Sequence, residues 1–254
     1  MEFDAVSGDP VQAPQLGRLF GYSGGEADYL CNIGLKRGFL YVETPKVACS
    51  TIKRTLQGLE AGPSQLLAGV HDKAASPLYG AIGCGLSLRE IFMTRRMFRF
   101  TFVRNPYVRI LSCYLEKILA DVAERRRHLD LLGWDPQRPV SFARFLRAIE
   151  GIADRDRDVH WRSQSRLISD HAIAYDLIGR FETLRRDLSH VLRVLGEVEP
   201  DAAVRDVSHH RTDAAARVAE FFGPEEQALV ARIYRDDFLR YGYRLELPAS
   251  AERA

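Results

Sequence analysis

Apolar residues in this chain fall into a few short continuous runs and several longer stretches with helical spacing. Residues 38–42, Gly-Phe-Leu-Tyr-Val, read as a buried strand. After the polar break Glu43-Thr44-Pro45-Lys46, a helical stretch covers 50–59 and stops near Gly62-Pro63. Residues 66–70 form a second apolar run, expected to be a short strand ending at His71, and the Gly-, Ser- and Pro-containing stretch 72–90 reads as loop, with a short helix near 88–93. Residues 99–103 predict the next strand, closed by Arg104-Asn105-Pro106. Val108, Leu111, Leu115, Ile118, Leu119 and Val122 then predict one long helix over 107–127. Farther on, 141–149 predicts an amphipathic helix with Phe142, Phe145, Leu146 and Ile149 inward, and 154–158 reads as a charged loop. A third strand is expected at 175–181 and a helix at 184–195, bounded by Gly196. A loop at 199–212 and helices at 213–222 and 224–237 complete the pattern. Residues 1–30 read as an irregular lead-in to one domain over 31–247.

The pattern predicts an α/β fold with a central parallel sheet flanked by helices. Two of its strand-turn-helix units carry a basic residue at the turn, Lys46 in one and Arg104 in the other. Right-handed crossovers lay such strands parallel, with both turns at the carboxyl end of the sheet, where ligands bind. The first N–H groups of a helix lack intrahelical partners, and the helix dipole favours an anion there. Lys46 adds a charge, and Ser50 and Thr51 add hydroxyl donors. An ordinary turn with a solvated lysine stays open on this stretch alone. The Gly-x-x-x-x-Gly-Lys-[Ser/Thr] phosphate loop is absent.

Composition narrows the partners. With 254 residues the chain can bury a sizeable core, and a net charge of +2 gives no global electrostatic case for nucleic acid. Only five lysines occur, at 36, 46, 53, 73 and 117, against many arginines, a bias that fits a GC-rich bacterial genome. Cys31, Cys49, Cys84 and Cys113 are widely spaced, so neither a zinc site nor a disulfide framework is indicated, and a reducing, cytoplasmic setting is expected. No stretch approaches the ~18 apolar residues of a membrane span, and residues 1–25 lack the apolar core of a signal peptide.

Several stretches carry a family resemblance. Pro45-Lys46-Val47-Ala48-Cys49-Ser50-Thr51-Ile52-Lys53-Arg54 resembles the 5′-phosphosulfate-binding motif of the carbohydrate sulfotransferases, especially the branch with the chondroitin, dermatan and uronosyl enzymes. Phe102-Val103-Arg104-Asn105-Pro106-Tyr107-Val108-Arg109-Ile110-Leu111-Ser112-Cys113-Tyr114 resembles that family's 3′-phosphate-binding motif. His160-Trp161-Arg162-Ser163-Gln164, residues 175–184, and the ending Tyr234-Arg235-Asp236-Asp237-Phe238 with Tyr241-Gly242-Tyr243 are also similar to it. Ala48 stands where many relatives have glycine, and Ser50-Thr51-Ile52 replaces a more usual Thr-Asn-Trp, which removes any stacking role of that tryptophan.

The resemblance implies a P-loop-like sulfotransferase that uses 3′-phosphoadenosine 5′-phosphosulfate as donor, releases 3′-phosphoadenosine 5′-phosphate, and sulfates a hydroxyl of a carbohydrate or glycoconjugate. It implies donor contacts from Pro45, Lys46, Val47, Ala48, Cys49, Ser50 and Thr51 at one anionic group and from Arg104 and Ser112 at the other, with Arg211 as a further contact. A guanidinium fork suits a phosphate monoester. Lys46 would stabilise the leaving oxygen, and a histidine would accept the hydroxyl proton. His71, at the end of an expected neighbouring strand, is preferred as base, with His160 as acceptor-site residue or alternative base. Arg180 and Glu182 read as structural pairs. Arginines 125–127, 155, 157 and 162 read mainly as solvated surface. No metal is expected. The competing readings are a P-loop-like small-molecule kinase, which would need a magnesium carboxylate, a non-catalytic module that senses 3′-phosphoadenosine 5′-phosphate, and, most distant, a nucleic-acid binder.

Overall fold

The computed structural model describes residues 8–62, 69–119, 122–205 and 212–248. In chain order its elements are α1 (Ala13–Phe20), α2 (Gly24–Leu30), β1 (Cys31–Gly34), β2 (Phe39–Val42), α3 (Cys49–Ala61), α4 (Leu88–Phe92), β3 (Phe98–Val103), α5 (Pro106–Cys113), a π-helical turn (Tyr114–Ile118) and α6 (Val122–Asp130). There follow α7 (Phe142–Glu150), a 3₁₀ turn (Asp154–Asp156), α8 (Gln164–Ile168), β4 (Leu177–Arg180), a 3₁₀ turn (Phe181–Thr183), α9 (Leu184–Val194), α10 (Pro200–Ala203), α11 (Val218–Phe221), α12 (Pro224–Ile233) and α13 (Arg235–Tyr241). The chain forms two compact units: residues 1–44, 48–102 and 166–207, and residues 45–47, 103–165 and 208–254. Among the described residues no helix is long and apolar enough to cross a membrane.

The first unit holds the sheet, in the order β1-β2-β3-β4. β2 and β3 run parallel, with Phe39 opposite Phe98 and Val42 opposite Thr101, as the two strand-turn-helix patterns required. β1 is antiparallel to β2, so the sheet is mixed rather than wholly parallel. Only residues 35–38 join β1 to β2, and so short a link can close a hairpin but not a crossover. All four residues of β2 are buried, which explains its unbroken apolar run. Tyr41 stacks on Phe100 at 5.4 Å between centroids, and Phe39 and Phe102 flank the same ring. At Gly179 in β4 a Cβ would lie 2.4 Å from the Phe102 ring, so only glycine lets β4 approach β3.

The segment expected to be an irregular lead-in instead contains α1 and α2, which bury Leu16, Phe20, Ala27 and Leu30. These helices have only eight and seven residues, too short to show a sustained helical period. Their close approach rests on Gly24, where a Cβ would lie 2.0 Å from the Ala13 carbonyl oxygen. Of the strand expected at 66–70, residues 66–68 lie outside the described residues, and Val70 and His71 form a turn. The third strand is shorter than expected, beginning at Leu177; at Asp176 the side chain, rather than the backbone carbonyl, accepts the Arg99 N–H at 2.8 Å. The loop expected at 199–212 contains the short α10.

The second unit is a helical assembly around an aromatic core of Tyr107, Tyr114, Phe142, Phe145, Trp161, Phe222 and Phe238. In α7 the buried residues are Phe142, Phe145, Leu146 and Ile149, as the periodicity predicts, and Ser141 caps its N-terminus. The long helix expected over 107–127 is divided: α5 runs into the π-helical turn and α6 starts separately at Val122. The extra residue of a π turn shifts the helical phase, and Leu119 of the expected apolar stripe is exposed beyond it. Here the Tyr114 hydroxyl, fixed to the Val140 carbonyl at 2.6 Å, anchors the start of the turn. Arg157 and Arg162 are buried rather than solvated, the former donating to the Ile149 and Ile152 carbonyls and to Asp154.

Candidate functional site

In the first unit the chemistry gathers at the start of α3. Ala48, immediately before the helix, is left-handed at φ 52°, and its side chain offers no cap. A single alanine tolerates this region at modest cost, whereas serine, threonine, asparagine or aspartate would have capped the helix itself. Thirteen residues of helix therefore present their N-terminal dipole to the preceding loop. Ser50 Oγ lies 3.0 Å from His71 Nε2, and His71 Nδ1 lies 2.7 Å from Lys53 Nζ. Lys53 is ion-paired with Glu43 at 2.7 Å, both side chains 3% exposed or less. Glu43 also accepts from Asn32 Nδ2 at 3.2 Å, and Asn32 Oδ1 accepts from Lys73 Nζ at 2.8 Å. Lys53 and Lys73 each place Nζ 5.7 Å from the centre of the Tyr29 ring, a cation–π arrangement. Burial lowers the Lys73 pKa, an effect that Glu43 opposes and Lys53 reinforces.

In the second unit Lys46 also has left-handed backbone, at φ 70°. Its ammonium is ion-paired with Glu116 of the π-helical turn, and Glu116 also meets Lys117 at 3.3 Å. Burial pushes the Glu116 carboxyl up, but Lys46 and Lys117 outweigh it and hold the group below the usual carboxylate value. Two arginines fix the backbone around Lys46. Arg104 Nη1 donates to the Lys46 carbonyl at 3.0 Å, and Arg109 Nε donates to the Pro45 carbonyl at 3.0 Å. Arg109, 1% exposed, gives its other nitrogens to the carbonyls of Arg162 at 2.8 Å and Val159 at 3.3 Å.

The Arg104 backbone is clamped in turn. Gln164 Oε1 accepts its N–H at 2.8 Å, and Gln164 Nε2 donates to its carbonyl at 2.9 Å. The wholly buried Asp237 accepts the N–H groups of Gln164 and Ser165 at 2.8 and 2.9 Å. Burial raises the Asp237 pKa and the two backbone donors only partly offset this. Ser112 is buried, and its Oγ accepts from Thr212 at 3.1 Å. Burial pushes the neighbouring Cys113 thiol up to about 12, so it stays protonated.

His160 belongs to the same unit. Asp158 Oδ1 lies 2.6 Å from its Nδ1 and accepts its backbone N–H at 2.9 Å. Burial pushes the Asp158 carboxyl up, but His160 prevails and the pKa is lowered. The His128 ring stands edge-on to His160 at 5.2 Å and to Trp161 at 6.0 Å. His128, Asp158 and His160 have donor atoms within 4.8 Å of one another, a set able to hold a metal ion.

Among the residues expected at the site, Pro45, Lys46, Val47, Arg104, Ser112 and His160 lie in the second unit, and Ala48, Cys49, Ser50, Thr51 and His71 in the first. Arg211 lies outside the described residues. Sequence reasoning assigned no role to Glu116, Arg109, Gln164 or Asp237. The last three sit inside stretches that carry the family resemblance, which was the available signal. Glu116 had none, because only the π turn brings its carboxylate to Lys46.

A sequence profile described as "Sulfotransferase family" matches residues 33–244. The chain is similar to human carbohydrate sulfotransferase 8, with 26% identity over 232 residues, covering 80% of this chain and 53% of that protein. It is similar to zebrafish (Danio rerio) carbohydrate sulfotransferase 14, with 31% identity over 171 residues, covering 62% and 46%. Zebrafish carbohydrate sulfotransferase 11 shares 26% identity over 235 residues, covering 81% and 64%. The chain thus spans about half the length of the first of these curated relatives. No solved structure matches it.

Proposed function

The chain belongs to the sulfotransferase family, and from that premise we propose that it moves a sulfuryl group from 3′-phosphoadenosine 5′-phosphosulfate to a hydroxyl of a carbohydrate or glycoconjugate. The observation that carries this reading is the loop at Lys46, whose carbonyls are held by two buried guanidinium groups. Such bracing fixes the backbone that carries the Lys46 ammonium, a charge that suits a phosphate-linked leaving group. The α/β fold with parallel β2 and β3 is read as P-loop-like, and the names of the relatives support a sugar acceptor.

The donor supplies an activated sulfur bonded through oxygen to a 5′-phosphate. In the transfer the acceptor hydroxyl forms an O–S bond, the bridging S–O bond breaks, and its electron pair passes to the phosphate oxygen. Lys46 neutralises that developing charge, a role worth more in the transition state than in the ground state. To do so it exchanges Glu116 for the phosphate oxygen. Arg104 and Ser112 recognise the 3′-phosphate. Arg104 Nη1 donates to the Lys46 carbonyl, which ties the guanidinium to the loop. Gln164 and Asp237 hold Arg104 in register.

Hydrogen-bond direction favours His160 over His71 as base. Asp158 accepts at Nδ1 of His160, which leaves Nε2 as the proton-accepting atom. His71 has its Nδ1 facing an ammonium that can only donate, so its Nε2 already bears the proton.

Calorimetric titration with 3′-phosphoadenosine 5′-phosphate, with adenosine 5′-phosphate as control, tests the reading on wild type, Lys46→Ala and Arg104→Ala. Binding that needs the 3′-phosphate and weakens in Arg104→Ala is expected, as is transfer of labelled sulfate to a carbohydrate. Equal binding of the two nucleotides would refute it.

A further inference from the structure

We infer that His71 is a positioning residue: Glu43, Lys53 and His71 form a directional hydrogen-bond chain that aims the Ser50 hydroxyl proton at the anion held by the loop. This rests on the reading above that the loop before α3 receives the donor's 5′-phosphosulfate, or the 5′-phosphate of the product.

Each direction in the chain is fixed by the one before it. Glu43 is a buried carboxylate paired with Lys53 at 2.7 Å, which keeps Lys53 an ammonium. An ammonium has three donors and no acceptor, so across the 2.7 Å contact Lys53 donates and His71 Nδ1 accepts. A neutral imidazole that accepts at Nδ1 carries its proton at Nε2. His71 Nε2 therefore donates to Ser50 Oγ across 3.0 Å. With one lone pair of Ser50 Oγ occupied, the hydroxyl hydrogen must turn away from His71. A hydroxyl so polarised is a better donor to an anion than one free to rotate.

The surroundings reinforce the bias. Lys73 is tied to Asn32 and to the Cys31 carbonyl, and Asn32 is tied to Glu43. Lys53 is paired with Glu43, whereas Lys73 is held by neutral oxygens with Glu43 and Asp28 as the nearby carboxylates. The Lys53 ammonium beside His71 favours an anion at this end of the chain. Protonation would break the Lys53 contact, so His71 cannot serve as a base without dismantling the chain. His71 is exposed and Lys53 and Glu43 are buried, so the imidazole can be changed without disturbing the core.

The test is calorimetric titration of the full chain with 3′-phosphoadenosine 5′-phosphate and no acceptor, a readout that a proton-accepting role would not move. Ser50→Ala and His71→Ala are each expected to weaken binding about tenfold, the effect of one hydrogen bond to a charged group. The double variant should bind no worse than Ser50→Ala alone, because His71 acts through Ser50. His71→Gln should restore most of the affinity, since an amide can accept from Lys53 and donate to Ser50 yet cannot take up a proton. Additive losses in the double variant, or wild-type affinity in His71→Ala, would overturn the inference. If wild type itself shows no preference for the 3′-phosphorylated nucleotide, the proposed function falls and this inference falls with it.

Discussion

Replacing Arg109 with lysine is expected to loosen the Lys46 loop and destabilise the protein. Arg109 is 1% exposed and donates to three carbonyls, those of Pro45, Arg162 and Val159. These carbonyls take its N–H donors, and the charge also acts on the buried Asp237. Lysine keeps the charge but has one nitrogen in place of a three-way fork, and it can satisfy about one of the three acceptors. Each lost hydrogen bond to a charged donor costs about 1.5–3 kcal/mol. Two losses, partly relieved by local adjustment, amount to about 3–4 kcal/mol. For a chain of this size each kcal/mol lowers the melting temperature by about 2–4 °C, so a fall of roughly 10 °C is expected in scanning calorimetry. Because one lost bond holds the Pro45 carbonyl, affinity for 3′-phosphoadenosine 5′-phosphate should fall as well, by about tenfold. A melting temperature within about 2 °C of wild type would refute the reasoning, as would an unchanged nucleotide affinity.

Lys46→Ala should lower turnover with labelled donor by about 10²–10³-fold, as for loss of one oxyanion donor, and a loss below about fivefold would exclude it from the transition state. Asp158→Asn should lower kcat/KM by about 10²-fold or more while leaving nucleotide affinity unchanged, because an amide no longer enforces the His160 tautomer; equal activity would remove His160 as base. Glu116 and Asp158 both have folded-state pKa values below the ordinary ones, so their stabilisation is present above the ordinary carboxylate pKa and lost as pH falls through the lowered values. Asp237 works in the opposite sense, its contribution being lost as pH rises through its raised pKa. Melting temperature should therefore drop below about pH 4, less steeply in Glu116→Gln than in wild type, and identical slopes would contradict the Lys46 pairing. Gly24→Ala should destabilise by about 2–3 kcal/mol in urea unfolding, since its Cβ would overlap the Ala13 carbonyl; a neutral result would mean that α1 and α2 do not pack as described.

The sequence by itself determined the features whose physics is local. The buried run of β2, the helix after it and the Arg104-Asn105-Pro106 break follow from periodicity and from the backbone limits of proline. So does the inward face of α7. The same stretches marked Lys46, Ser50, Arg104 and His160 as candidate chemistry, because the family resemblance lies in contiguous residues. Tertiary structure decided what depends on partners far apart in the chain. Glu116 meets Lys46 across seventy positions and Asp237 meets Gln164 across seventy-three. The π turn shifts the helical phase, leaving Leu119 exposed, and carries the Glu116 carboxylate that pairs with Lys46. His71 was legible as a histidine near a strand end, but its tautomer depends on Lys53, and the charge of Lys53 depends on Glu43. A side chain's type can be read from one position. The direction of its hydrogen bonds is set by the neighbours that folding supplies.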